Sequence, residues 1–549
     1  MISPSPCLSQ LASRWTSPCA VPRSTPHRSV QALRQPQGRH LRISMAAPVS
    51  PSPSAVLSPS LGGLPAGMDS YSLPSDAELE DIAQDAVVWA SQHGLVVGLS
   101  QQGVPDQAVI HAPLAALPVA FPRARFLQAK AVQPLFNRLV DAVARDEEYL
   151  ESVLAGAARS DTFTAQLLEV LRQSRPARQA LAAAGTDEIA LGIHRSDYML
   201  DVPSGGFLQV ELNTIASSFG CLSSRMTSLH RYVVGRLAGS SVQVDPARLP
   251  DNSALEALPD ALAAAVKAHG APGGCVVMVV QPGERNAYDQ QWLQHQLWTR
   301  HGLRTIRRSL SQMAALRPLG SGGELLLEGG QPVSVVYFRA GYAPNDYPTD
   351  AEWAARLLIE QSNVAKCPTV AYQLAGTKKV QQDLAGPGVV ERFLGHGPET
   401  AMLRTFFAGL WSLDDLKAPD TAQIVAQALA DPEAFVLKPQ REGGGNNLYG
   451  DELVAQLKEG LAVGGGLPAF ILMQRILPPP QRGVLVRAGA WAVADTLSEL
   501  GVYGAFLRRG QEVLLNTEAG HLVRTKRASS NEGGVAAGFA VLDSPYLMD

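Results

Sequence analysis

The first 68 residues contain no aspartate or glutamate; the first acid in the chain is Asp69. The same stretch carries Arg14, Arg23, Arg28, Arg34, Arg39 and Arg42 among many Ser and Pro residues, and it lacks the apolar core of a secretory signal. An acid-free, Arg- and Ser-rich leader is the mark of an organelle transit peptide. Residues 1–68 are therefore expected to be one, with a disordered tail that targets nothing as the alternative. The Pro and Ser content favours a plastid over a mitochondrion. Met45, at the head of MAAPVS, offers a second start that would yield a cytosolic form.

Other absences narrow the rest of the chain. No run of 18 or more apolar residues occurs, so no bilayer-spanning helix is expected. A formal net charge of -4 leaves no general basic stripe for nucleic acid or a membrane surface. The five cysteines (Cys7, Cys19, Cys221, Cys275, Cys367) lie far apart with no CxxC pair. That spacing fits neither a disulfide framework nor a structural zinc site, and it suits a reducing compartment. The histidines show no HExxH, no GxSxG precedes a helix, and Cys221 has no evident His or Asn partner pattern. Metalloprotease and covalent hydrolase chemistry are thus unsupported.

What remains is a chain of 549 residues with 46% hydrophobic and 17% charged residues, enough to bury a large core or several subdomains. Order is expected from about Leu73. SDAELEDIAQDAVVWASQHGL opens with Ser75 and Asp76 as N-cap candidates, followed by apolar residues at helical spacing. Leu135, Phe136, Leu139, Val140 and Val143 predict a second helix, and a helical stretch runs to about Ala184. Short β-rich runs then alternate with helices: 207–212, 276–280, 333–338, 435–437 and 470–473. Interleaved strands and helices indicate an α/β or α+β enzyme with mixed sheets. Glycine clusters at 320–323 and 464–466 read as turns or loops.

The strongest chemical signal is KPQREGGGNNLY, Lys438 to Tyr449, directly after a short apolar strand. Three consecutive glycines let the backbone approach a ligand and offer N–H donors to phosphate oxygens. Lys438 can meet phosphate as a point charge, and Glu442 is a hard oxygen ligand suited to magnesium. The pattern is neither Walker A nor the Rossmann fingerprint. Upstream, QVELNT places Glu211 and Asn213 two apart, on one face of an extended strand. Both offer oxygen to that face, as a magnesium site needs, although alternating polar residues on a strand also describe a solvated face. In RSDYM, Arg195 can clamp a carboxylate bidentately, or Asp197 can hold it in a structural ion pair. QPGERNAYDQ and FRAGY follow strands and place polar groups in the loops beyond them, where α/β ligand sites form. RTKRASSNEGGVAAG sets Arg524 and Lys526 on one face before a Gly/Ala-rich loop able to close over substrate.

Taken in order, QVELNTIASSFG, VQPGERNAYDQ, YFRAGY, KCPTVAYQLAGTKKVQQ, FVLKPQREGGGNNLYG, ILMQRI, SELGVYG and RTKRASSNEGGVAAG resemble the signature of the eukaryotic glutathione synthetases. The resemblance covers roughly residue 75 to the C-terminus. It implies an ATP-grasp fold of permuted topology with an inserted substrate-binding subdomain, a mobile lid and a homodimer. On that basis 75–272 and 376–549 form the catalytic domain with its lid, and 273–375 the insertion. The implied reaction ligates glycine to γ-glutamylcysteine, with ATP consumed through an acyl phosphate. Homoglutathione synthetases, which use β-alanine, are the near alternative; another ATP-grasp ligase and a non-catalytic nucleotide-binding regulator are more distant ones.

Carried over position by position, the resemblance puts magnesium on Glu211, Asn213 and Glu442. ATP falls to Glu211, Lys378, Lys438, Pro439, Gln440, Arg441, Glu442, Gly443, Gly444, Gly445, Asn446, Asn447, Tyr449, Lys526 and Glu532. Met473, Gln474, Arg475 and Ile476 line the adenine, with Glu499 nearby. The dipeptide and glycine fall to Arg195, Ile215, Ala216, Ser217, Ser218, Glu284, Arg285, Asn286, Gln290, Arg339, Ala340, Gly341, Tyr342, Arg524, Val535 and Ala536. Arg524 is the candidate catalytic residue, by stabilising charge at the reacting carbonyl. Two positions depart from the family pattern: Gln474-Arg475 stands where Glu-Lys is common, and Ala216 replaces a Ser, removing one hydroxyl.

Overall fold

The computed structural model describes residues 73–99, 108–237, 244–314, 319–441, 445–464, 466–535 and 538–549. The targeting expectation for residues 1–68 lies outside them. Ser75 caps the helix Asp76–Gln92: its hydroxyl accepts from the Glu78 amide while the Glu78 carboxylate accepts from the Ser75 amide at 2.9 Å. Leu79, Ala83, Ala86 and Ala90 form the buried face of that helix. The second helical pattern becomes Arg123–Arg145, and the stretch to Ala184 divides into Glu147–Ser160 and Thr162–Ala183. Asp146 and Asp161 start those two by accepting the backbone N–H groups of Tyr149 and Thr164.

All five apolar runs are strands: Gly206–Asn213, Cys275–Val279, Val333–Phe338, Phe435–Pro439 and Phe470–Gln474. Three of them join an eleven-stranded mixed sheet. Its main parallel part is Thr305–Arg308, Cys275–Val279, Val333–Phe338 and Ala365–Cys367, and Ala540–Asp543 also pairs parallel with Leu114–Ala115. Its antiparallel part includes Gly206–Asn213 and the long hairpin Ala490–Arg509 and Glu512–Arg527. Ile189–Asp201 is the seam: it runs parallel to one side and antiparallel to the other.

Strand alternation splits the core into two layers. Cys275, Val277 and Val279 pack with the helices Arg123–Arg145 and Thr162–Ala183, whereas Val276 and Met278 pack on the opposite face with Gly220–Leu237 and Ala254–His269. A sheet buried on both faces explains why these runs are apolar throughout rather than alternating. A separate three-stranded sheet, Leu410–Ser412, Phe470–Gln474 and Phe435–Pro439, has its own core of Leu413, Val425, Leu437, Leu453, Leu457 and Leu472. Its other face turns Val436 and Met473 toward Leu208 of the large sheet. Among the described residues, no helix is long and apolar enough to cross a membrane.

Candidate active site

A cavity of about 330 Å³ lies between the two sheets. Its floor on the large sheet is charged, and strand register decides which charges meet. Arg195 lies opposite Asn213, Asp197 opposite Glu211 and Gly501, and Glu499 opposite Arg524. Glu211 and Asn213 both face the cavity, as their spacing predicts. Lys378, at the start of the helix Lys378–Leu384, places Nζ 3.1 Å from Glu211 Oε2. Lys438, at the end of its strand, donates from Nζ to the Val210 carbonyl at 2.9 Å. Burial works against the Glu211 charge, but Lys378, Lys438, Arg524 and Arg195 outweigh it and hold its pKa well below the usual carboxylate range.

Arg195 shows which of its two readings the fold builds. Its Nε and Nη2 form a bidentate pair with Asp197 at 2.7 Å each, and Nη1 reaches the Ser218 carbonyl at 3.4 Å. The guanidinium edge that would clamp a ligand carboxylate is therefore engaged within the chain, although Arg195 still borders the cavity. Arg524 donates to Asp197 at 2.8 Å and pairs with Glu499. Burial pushes the Glu499 carboxyl up against the pull of Arg524, and burial likewise pushes the Lys526 ammonium down. Arg339 is buried and lines the cavity, and its Nε and Nη2 have no hydrogen-bond partner among the described residues. It pairs with Asp289 through Nη1 at 3.1 Å.

The segment 214–219 crosses the cavity in a constrained path. Ala216 (φ 52°) and Phe219 (φ 69°) occupy the left-handed region, uncommon for residues with a side chain. Asp289 holds the turn: its carboxylate accepts the backbone N–H groups of Phe219, Cys221 and Leu222 at 2.9, 3.0 and 3.2 Å. Asp289 stands inside QPGERNAYDQ, but its role depends on an encounter about 70 residues back that spacing cannot reveal.

The opposite wall is largely apolar. Met473, Ile476 and Val436 face Met199 and Val210, with Tyr449 beside them. Gln474 also borders the cavity, and its Oε1 accepts from the Gly409 amide at 3.1 Å. Arg475 pairs with Glu433, donates to Asn531 Oδ1 at 3.1 Å and lies over the Tyr449 ring. The Gly445 amide donates to Glu532 at 2.8 Å, so the two glycine-rich segments meet across the opening. Ile215, Ser218, Glu284, Asn286, Tyr342, Arg441, Asn446, Asn447 and Val535 complete the expected lining.

Several expected positions stand back from the cavity. The Ser217 hydroxyl turns to the Ile193 carbonyl, and Arg285 is exposed with its Nε on the Gly98 carbonyl. Gln290, expected in a loop, sits buried in the helix Ala287–His301 and supports the Glu284 carboxylate from behind. Gln440 accepts from the Lys379 amide at 3.1 Å. Pro439, Ala340 and Gly341 do not border the cavity either. Glu442, Gly443, Gly444 and Ala536 lie outside the described residues. Gly533 and Gly534, from the Gly/Ala-rich loop expected to close over substrate, line the cavity, and so do Ser530 and Asn531, to which the sequence pattern assigns no role.

The donor set fits a small hard cation. Asn213 Nδ2 donates to Asp197 Oδ2 at 2.9 Å and to the Arg195 carbonyl at 3.3 Å. Both partners are acceptors, so the amide oxygen is the atom left for the cavity. No group of three or more His, Cys, Asp or Glu residues forms a metal cage among the described residues. Magnesium does not need one, since it takes one or two carboxylates and completes its shell with phosphate and water.

Comparison with known proteins adds independent findings. The sequence model described as "Eukaryotic glutathione synthase, ATP binding domain" matches residues 76–547. The chain is 47% identical over 478 residues to a protein named glutathione synthetase, chloroplastic, from Solanum lycopersicum, covering 86% of this chain and 84% of that one. It is 41% identical to glutathione synthetase from Homo sapiens, over 86% of this chain and 98% of that one. A glutathione synthetase-like effector from Globodera pallida, solved without ligand, shares the fold with a TM-score of 0.67 at 22% identity, covering 87% and 98% of the two chains.

Proposed function

We propose a function from one premise: this chain belongs to the eukaryotic glutathione synthase family. It ligates glycine to γ-glutamylcysteine with consumption of ATP, the second step of glutathione formation. A carboxylate is a poor electrophile, so the C-terminal carboxylate of the dipeptide first takes the terminal phosphoryl group of ATP, releasing ADP. Glycine's amine then attacks the acyl carbon and phosphate leaves. No covalent bond to the enzyme is required.

One observation carries this reading. Glu211, Asn213, Arg524 and Lys526 from the large sheet, Lys378 from its helix and Lys438 from the three-stranded sheet face a single cavity that Val436, Met473 and Ile476 line with apolar surface. Lys378, Lys438 and Lys526 hold the phosphates, and Val436, Met473 and Ile476 hold the adenine. Arg524 steadies charge at the reacting carbonyl. Glu211 and Asn213, with Glu442 beyond the described residues, would hold magnesium. When bound there, the ion offsets charge on the phosphate oxygens. Arg339, with two uncommitted buried N–H-bearing nitrogens, and Glu284 receive the dipeptide, while Gln290 and Asp289 hold those two groups in place.

We also read the fold as ATP-grasp with permuted topology. The insertion 273–375 interrupts a catalytic domain of 75–272 and 376–549, and the sheet around 410–474 with the glycine-rich loop near 533 acts as a lid. The assembly is a homodimer. Residues 1–68 direct the chain to the plastid, a destination supported by the chloroplastic name of the tomato relative. The deciding assay is phosphate release from ATP with γ-glutamylcysteine, with and without glycine. Sustained release only when both are present supports ligation; turnover indifferent to the dipeptide rejects it. Size-exclusion chromatography with light scattering tests the dimer, and a fluorescent protein fused behind residues 1–68 tests the destination.

A further inference from the structure

Four hydrogen bonds converge on one fully buried carboxylate. Asp197 receives Arg195 Nε on Oδ1 at 2.7 Å and, on Oδ2, Arg195 Nη2 at 2.7 Å, Arg524 Nη2 at 2.8 Å and Asn213 Nδ2 at 2.9 Å. Its donors come from three strands, and each belongs to a side chain on the cavity floor. Asp197 itself does not border the cavity. The strand across from it makes room for the arrangement: a Cβ on Gly501 would lie 2.6 Å from Asp197 Oδ1 and 2.9 Å from Arg195 Cδ.

We propose that Asp197 is the positioning residue of the ligation site, setting two guanidinium groups and the oxygen of Asn213 in one register. This rests on the roles assigned above to Arg524 and Asn213. Gripped on both oxygens by Arg195, the carboxylate fixes the plane of that guanidinium, and by accepting from Arg524 Nη2 it anchors one corner of the second. The same carboxylate offers no hydrogen to Asn213, so the amide presents Nδ2 to it and turns Oδ1 outward, where a cation can be met. A surrounding group of this kind commonly changes metal affinity or activity by about 10- to 100-fold when altered. Simple charge balance predicts something different: any anion within reach of the arginines would serve.

Asp197→Glu keeps the charge and moves the carboxylate by one methylene. In folded protein, confirmed by its melting transition, the variant should bind manganese–ATP about 10- to 100-fold more weakly by electron paramagnetic resonance. It should also bind γ-glutamylcysteine more weakly in metal-free calorimetry, and kcat should fall about 100-fold, as for a displaced reacting group. Wild-type values in all three would overturn the proposal and leave Asp197 a counter-ion. Should that variant fail to fold, Arg195→Lys decides, because a lysine cannot supply the two-nitrogen edge that Asp197 grips. Weakened manganese–ATP binding in Arg195→Lys supports transmission through Asp197, since lysine keeps the positive charge that acts on Glu211 and the Arg195 side chain makes no hydrogen bond to an assigned metal ligand. A change confined to dipeptide binding overturns it. If the wild-type protein releases no glycine-dependent phosphate, the ligase reading fails by itself, and the two binding titrations still judge Asp197.

Discussion

The two walls of the cavity are built by different means. The charged floor is assembled from long strands of the large sheet, where Glu211, Asn213, Glu499 and Arg524 are fixed by cross-strand register. The apolar wall comes from a three-stranded sheet with a small core of its own, and its cavity face is a matter of packing among Val436, Met473 and Ile476. A register-built surface should respond to substitution through chemistry, because cross-strand pairing in the large sheet sets which charged groups meet. A packing-built surface should respond through shape and affinity.

The sharpest test of that contrast is Glu211→Ala. Removing the carboxylate among Lys378, Lys438, Arg524 and Arg195 should abolish measurable ligation in protein that still folds, at a lowered melting temperature because the buried cations lose their partner. Near-normal turnover at ordinary magnesium concentration would show that the floor is not the chemical wall. On the other side, Met473→Ala should raise the KM for ATP with a smaller change in kcat, since it removes contact made alike before and during reaction. It should also destabilise by about 2–5 kcal/mol, as large-to-small core changes do. A pure loss of kcat would erase the distinction between the walls.

The acceptor comes next in size. Gly533 and Gly534 line the cavity, and the loop continues through Val535 to Gly538 with small residues. Glycine should be preferred to β-alanine by about 10- to 100-fold in kcat/KM, because one methylene is worth about 1–3 kcal/mol. Competition between the two acceptors, read by mass spectrometry of the products, measures it; equal use would show that this loop does not choose.

The smallest effect lies behind the floor. Thr525, between Arg524 and Lys526, points away from the cavity and donates to Asp543 at 2.6 Å. Burial pushes the Asp543 carboxyl up to about 7, despite the hydrogen bonds from Thr525 and Ser544. An ordinary aspartate titrates at about 4, so the unfolded chain releases this proton first. The stability Asp543 contributes is complete below about pH 4 and is lost as pH rises through about 7. Asp543→Asn cannot ionise, so its melting temperature relative to wild type should climb between pH 5 and pH 8. A constant difference across that range would mean that the carboxyl titrates normally.

These contrasts also explain what the sequence made legible. The glycine-rich run after Leu437 and the Glu211–Asn213 pair are local patterns, and strand geometry alone turns both residues to one side. The helix begun at Ser75 was legible for the same reason, since the capping pair lies three residues apart. Gln290 falls in the loop expected of QPGERNAYDQ because that segment directly follows a strand, yet the helix begins at Ala287 and turns it inward behind Glu284. Asp197 was visible as a neighbour of Arg195, but its bond to Arg524 joins positions 327 apart in the chain. Nothing in spacing announces a contact that sheet order creates.

The register of the floor carries a consequence for how the protein comes into being. Asp197 meets Glu211 through one pairing and Gly501 through another, while Arg524 arrives by a third. A slip of one residue in the strand Glu512–Arg527 would send Arg524 and Lys526 to the wrong side of the sheet. Partners so distant along the chain are slow to find one another. During refolding, helical signal should therefore return well before ligation does, and catalysis would serve as the proofreader's mark that the last strand has docked in frame.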